Sequence, residues 1–194
     1  YHELAYLHPD RFEPDPAVLD DAGVDPDDTL VVCRFSSWDS SHDVGQGGFD
    51  DLVDVVARLE STGAEVQLTA ETDLPSALED YRLSVPPHRM HDLLAFADLT
   101  IGEGATTAAE SALLGTPAIY VNTLGMGYTA ELEEEYGLLY HFDGPDRHAR
   151  GLQKAIEILE ADERIPWERR RVDLLAEKRD TTDVIVDQVA RAGG

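Results

Sequence analysis

The residues of this chain best able to do chemistry together are Gly102, Glu103, Gly104, Ala105, Thr106 and Thr107, with Glu110 three positions on. Glycines at 102 and 104 permit a tight turn, and the backbone N–H groups of a helix starting at the turn would face outward as an anion site. A phosphate suits that position. Side chains on a helix lean toward its N-terminus, so Glu110, about one turn inside, can reach back beside the anion and accept from a sugar hydroxyl. Glu103 would repel a diphosphate unless turned away, paired or protonated; it either faces a sugar or acts as a base. A second group lies in the polar stretch 36–48, with Trp38, Asp39, His42 and Asp43. A protonated His42 can hold phosphate, a neutral one can act as general base, and Asp43 can set either role. The plainer reading is that these Asp and Ser residues cap and turn the chain while Trp38 plugs an edge. His88 and His91 are metal-ligand types, but their spacing with Asp39, His42 and Asp43 fits no zinc signature, so neither metal nor cofactor is expected. His91 is instead placed near the nucleotide, with Tyr120 and Asn122 on the rim.

These residues need elements to hold them. Leu30 to Phe35 is a continuous apolar run, which predicts a strand buried on both faces and ending at the 36–48 loop. A helix through Leu52, Val53, Val56 and Leu59 leads to Gly63 and a strand over Glu65 to Thr69, completing a β-α-β unit. A short helix over Pro75 to Tyr81, a minor strand near Leu83 to Val85 and a helix over His88 to Ala97 precede the strand Leu99 to Ile101. The motif helix follows, then Gly115-Thr116-Pro117 and a strand to Asn122, a helix over Thr129 to Tyr136, a strand over Leu138 to Phe142 and three helices to Ala192. Such alternation predicts an α/β fold, a Rossmann-like doubly wound parallel sheet with helices on both faces. Both loaded loops then sit at the carboxyl ends of strands, where such sheets bind ligands. Residues 1–29, with Pro9, Pro14, Pro16 and Pro26, read as an extended arm with one short turn of helix.

The chain has 194 residues, 40 acidic and 15 basic, for a net charge of -25. That balance excludes DNA, RNA and anionic membranes as partners, which need clustered positive charge. It predicts a salt-rich cytoplasm, where a Debye length of about 3 Å at molar salt quiets the self-repulsion. Residues 1–144 carry 29 acids and 5 bases, residues 145–194 carry 11 and 10, so the tail is expected to cover something, with Trp167 and Arg169 to Arg171 as candidates. No apolar run approaches the roughly 20 residues of a membrane span. Cys33, the one cysteine, lies inside the first strand's apolar run and reads as a buried inert thiol. The opening Tyr1 in place of Met predicts a piece of a longer protein.

The passage Phe96-Ala97-Asp98-Leu99-Thr100-Ile101-Gly102-Glu103-Gly104-Ala105-Thr106-Thr107, with Glu110 and Gly115-Thr116-Pro117-Ala118-Ile119, resembles the donor-binding half of GT-B fold proteins. Nearest in pattern are the UDP-N-acetylglucosamine 2-epimerases and the peptidoglycan glycosyltransferase that uses the same donor. Together with Arg34-Phe35 to Gly45 and Pro86 to Leu94, the set resembles the DUF354 family of archaea and bacteria, in its C-terminal half. That resemblance implies phosphate contacts at Gly104, Ala105, Thr106 and Thr107, with Gly102 in the turn, and a ribose contact at Glu110. It makes His42 the equivalent of the histidine in the epimerases' His-Arg-x-Glu-Asn-x-Gly passage. The Arg and Asn of that passage have no counterpart in Ser41 to Gly45, so epimerase chemistry does not carry over with the histidine.

The expectation is therefore the nucleotide-sugar-binding domain of a glycosyltransferase or sugar-nucleotide epimerase from a halophilic archaeon. A UDP-sugar is its substrate, Trp38 and His91 border the nucleotide, and His42, Asp43 and Glu103 are the catalytic candidates. Residues 1–29 form an interdomain segment, 30–163 the domain, and 164–194 helices packing back onto an absent N-terminal domain; an oligomer stays open. A non-catalytic nucleotide- or sugar-binding module is the alternative, and a metal-dependent hydrolase built on Asp39 to Asp43 the weaker one.

Overall fold

The computed structural model of the chain describes residues 1–35, 51–70, 73–161 and 165–192. Among these residues the sheet has five parallel strands, β1 (Leu30–Phe35), β2 (Glu65–Ala70), β3 (Leu99–Gly102), β4 (Ala118–Val121) and β5 (Leu139–Phe142), in the order β2-β1-β3-β4-β5. The helices are α1 (Leu4–Leu7), α2 (Ala17–Ala22), α3 (Leu52–Glu60), α4 (Met90–Phe96), α5 (Ala105–Leu114), α6 (Gly127–Glu134), α7 (Arg147–Ala161), α8 (Ile165–Glu177) and α9 (Thr181–Ala192).

Side chains alternate across the strands, so each apolar run feeds two cores. Val31, Cys33 and Phe35 of β1, with Leu99, Ile101, Ile119 and Val121, pack under α3 and α7. Leu30 and Val32 face the other way onto Leu93 and Leu94 of α4, while Ala118 and Tyr120 meet α5, α6 and α8. Burial on both faces is why these strands lack polar alternation. Cys33 is fully buried, and burial pushes its thiol pKa up. The chain runs from β1 outward to β2 and then back across to β3, so the order switches between β1 and β3. Sheets of this kind bind their ligands at such a switch point, outside the carboxyl ends of the strands.

Three expectations change. Residues 1–29, expected as an extended arm with one short turn of helix, carry two: α1 and α2 bury Leu4, Leu7, Val18 and Leu19 in the α4–α5 side of the core. Asp92 fixes the segment by accepting from the Asp15 backbone N–H at 2.9 Å while pairing with Arg89 at 2.8 Å. The minor strand near Leu83 reduces to one bridge, Leu68 with Arg82, because the Pro86-Pro87 break follows at once. Trp167, Arg170 and Arg171 turn inward. The Trp167 ring is 8% exposed under the Arg170 guanidinium, Arg170 donates to the Gly137 carbonyl at 2.9 Å, and Arg171 Nε donates to the Leu113 carbonyl at 2.8 Å.

Candidate phosphate and ribose site

At the end of β3 the backbone presses on β1. A Cβ on Gly102 would stand 2.3 Å from the Arg34 carbonyl oxygen, so only glycine fits this register pair. The next N–H, of Glu103, donates to that same oxygen at 3.2 Å. The chain then turns through Gly104, which is extended (φ −93°, ψ 111°), into α5. The N-cap residue, Gly104, has no side chain with which to cap this helix start. Its first internal bond runs from the Ala108 N–H to the Gly104 carbonyl at 3.0 Å, so the N–H groups of Ala105, Thr106 and Thr107 have no acceptor within the helix. The helix dipole adds partial positive charge there.

Arg34 supplies a full charge beside it. From β1 its side chain passes over the turn, with Nε 3.6 Å and Cδ 3.7 Å from where a Gly104 Cβ would lie; Thr107 Oγ1 is 3.7 Å from the same point. A guanidinium next to a free helix start is a site for an anion with several oxygens, such as a diphosphate. The prediction of Gly102, Gly104, Ala105, Thr106 and Thr107 rested on the glycine turn, the helix start and the GT-B resemblance, and gave Arg34 no role. Its signal was one charged residue near the end of an apolar strand, aimed at the strand's carboxyl edge.

Glu110 lies one turn further in, its side chain 13% exposed. Its Oε1 accepts from the Tyr6 hydroxyl at 3.0 Å and sits 2.9 Å from His91 Nε2. Oε2 has no hydrogen-bond partner among the described residues, so it is the oxygen left to accept from a sugar hydroxyl. The hydrogen bond to Glu110 is the main cause raising the His91 pKa, and burial works against it. Burial, with the same carboxylate close by, pushes the Tyr6 phenol up. The Tyr6 ring is 5.5 Å and the Phe12 ring 6.2 Å from the His91 ring, giving the histidine two aromatic walls. His91 and Glu110, predicted separately, thus form one unit. Tyr6 was missed because it pairs across 104 residues and nothing local marks it.

Glu103 is 3% exposed in the turn between β3 and α5. Its carbonyl accepts from Asn122 Nδ2 at 2.9 Å, and Asn122 Oδ1 accepts from the Leu124 N–H at 3.0 Å. Asn122 and Tyr120, expected on the rim, are buried braces: the Tyr120 hydroxyl bonds the Leu124 carbonyl at 2.7 Å and its ring stacks on His141 at 4.6 Å. Trp38, Asp39, His42 and Asp43 lie outside the described residues. Among the described residues no three His, Cys, Asp or Glu side chains converge as a metal site, and no helix is long and apolar enough to cross a membrane.

No protein-family model and no curated protein matches the chain. Solved structures do. A Listeria monocytogenes protein described as a UDP-N-acetylglucosamine 2-epimerase superposes with a TM-score of 0.55 at 12% identity, over 88% of this chain and 46% of that one. Os79 from O. sativa, in complex with U2F and trichothecene, gives 0.61 at 14% identity, over 96% and 46%. The spinosyn rhamnosyltransferase SpnG, with spinosyn aglycone, gives 0.50 at 15% identity, over 83% and 45%. The fold is α/β and Rossmann-like. It is of the kind that GT-B glycosyltransferases and this epimerase carry, and the chain spans under half the length of each match. In this Rossmann-like domain the Arg34–Thr107 turn occupies the switch point of the strand order.

Proposed function

We propose that this chain is the nucleotide-sugar-binding domain of a GT-B-type glycosyltransferase or sugar-nucleotide epimerase, with a UDP-sugar as substrate. The observation that carries the reading is the start of α5 beside Arg34, with Glu110 Oε2 open one turn further in. The diphosphate takes the N–H groups of Ala105, Thr106 and Thr107 and the Arg34 guanidinium. The ribose takes Glu110, and His91 borders the nucleotide. When the bond from the sugar's anomeric carbon to the diphosphate breaks, its electron pair moves to the phosphate oxygen, and the helix start and Arg34 stabilise that growing charge. In a transferase the acceptor hydroxyl then bonds the anomeric carbon and gives its proton to a base. His42, Asp43 and Glu103 are the candidates, and Trp38 lines the nucleotide.

The same proposal includes an N-terminal partner domain across the cleft, residues 30–163 as the binding unit and 164–194 as the packing-back tail. Ile185, Val186 and Val189, each more than half exposed on α9, support a covered face there. It also includes a DUF354-like relationship and a halophilic archaeal source with a cytoplasmic location, supported by the motif set and the charge of -25. Calorimetric titration with UDP and UDP-N-acetylglucosamine in high salt tests the reading. Binding is expected, weakened roughly tenfold in Glu110→Ala by loss of a charge-assisted hydrogen bond. Silence at millimolar nucleotide, with Glu110→Ala unchanged, sinks it. Binding without turnover across a donor panel by the full-length protein favours a non-catalytic sensor.

A further inference from the structure

At the opposite edge of the sheet, below the amino ends of β1, β3 and β4, lies a cavity of about 430 Å³. Thr29, Asp98 and Pro117, which precede those strands, form its roof; Leu114, Ile158 and Trp167 are among its apolar walls, and Arg171 of α8 lines it. Five arginines of the chain are paired with carboxylates. Arg11 pairs with Asp180, Arg82 with Glu79, Arg89 with Asp92, Arg150 with Asp146 and Arg179 with Asp187. Arg171 has no carboxylate partner among the described residues, although the chain holds 40 acids. Its Nε is satisfied by the Leu113 carbonyl at 2.8 Å, its two terminal nitrogens have no acceptor among the described residues, and burial pulls its pKa down. A partly buried guanidinium whose terminal nitrogens face a cavity favours an anion there over an apolar group.

We infer that this cavity is a second small-molecule site, for an amphipathic monocarboxylate whose carboxylate pairs with Arg171 and whose apolar body lies against Leu114, Ile158 and Trp167. The volume falls in the range of ligand pockets, and one planar fork among apolar walls matches one carboxylate on an apolar body. Asp98 and Glu168 also line the cavity and select against a second negative charge. Asp98 Oδ2 already accepts from the Leu30 N–H at 2.8 Å. The site is separate from the phosphate turn, but α5 joins them, beginning at one and ending with Leu113 and Leu114 at the other.

The test uses Trp167 itself. The chain has two tryptophans, so in Trp38→Phe the emission of Trp167 reports the cavity. Octanoate, octanol and octylamine are titrated to about 10 mM, a limit that detects even a weak complex. Octanoate is expected to shift the emission and to bind at least tenfold tighter than the other two. Arg171→Met is expected to lower octanoate affinity at least tenfold and leave octanol unchanged. Val172 is 64% exposed at the cavity's margin. Val172→Glu therefore keeps the fold while placing a like charge at the mouth, and should weaken octanoate similarly even if Arg171→Met fails to fold. Equal binding of all three probes, no response to octanoate, or octanoate affinity unchanged in Val172→Glu overturns the inference.

Discussion

Glu110 is held before any ligand arrives, with Tyr6 and His91 on one carboxylate oxygen and the other left open. The pair has a pH signature. The His91 pKa is raised above its ordinary 6.5, so its contribution to stability is fully present below about pH 6.5 and is lost as pH rises through the raised value. The gap in thermal midpoint between wild type and His91→Gln should be widest near pH 6 and close toward pH 8.5; a constant gap would contradict a charged pair. At Gly102 the constraint is steric. Gly102→Ala sets a Cβ 2.3 Å from the Arg34 carbonyl oxygen, and overpacking of this kind costs about 1–3 kcal/mol, readable as a lower urea midpoint. Gly102 and Glu110 were legible because the glycine turn marks a helix start and Glu110 falls about one turn inside it. The Tyr6–Glu110 bond was not, since it depends on where residues 1–29 fold back.

The strands were the most readable elements. Leu30–Phe35 and Ala118–Val121 are short apolar runs buried on both faces, a pattern few other structures produce. The motif helix was equally plain, from its glycine start to its end at Gly115, which is left-handed at φ 94°. The first segment misled for a physical reason: its prolines prevent long helices, whereas α1 and α2 need only four and six residues. What stabilises them is tertiary burial of Leu4 and Leu7, which propensity does not encode. Leu4 is 0% exposed against the α5 side of the core. Leu4→Ala should cost about 2–5 kcal/mol in chemical denaturation, whereas a loose arm would lose under about 0.5 kcal/mol.

For the molecule as a whole, the charge of -25 sets the conditions of its stability. With 40 acids against 15 bases, the excess acids repel one another across the surface, and salt screens that repulsion. The thermal midpoint should rise steeply from dilute to molar potassium chloride, and a flat response would contradict the salt-adapted reading. The proposed function turns on the switch point between β1 and β3, where one strand brings Arg34 to the helix start supplied by the next. The most direct measurement is calorimetric titration of wild type and Arg34→Met with UDP and with uridine, at matched salt. If the turn holds a diphosphate, UDP binds wild type far more tightly than uridine does, Arg34→Met loses at least tenfold in UDP affinity, and uridine is unaffected. Equal affinities for UDP and uridine, or a UDP affinity indifferent to Arg34→Met, would contradict the account.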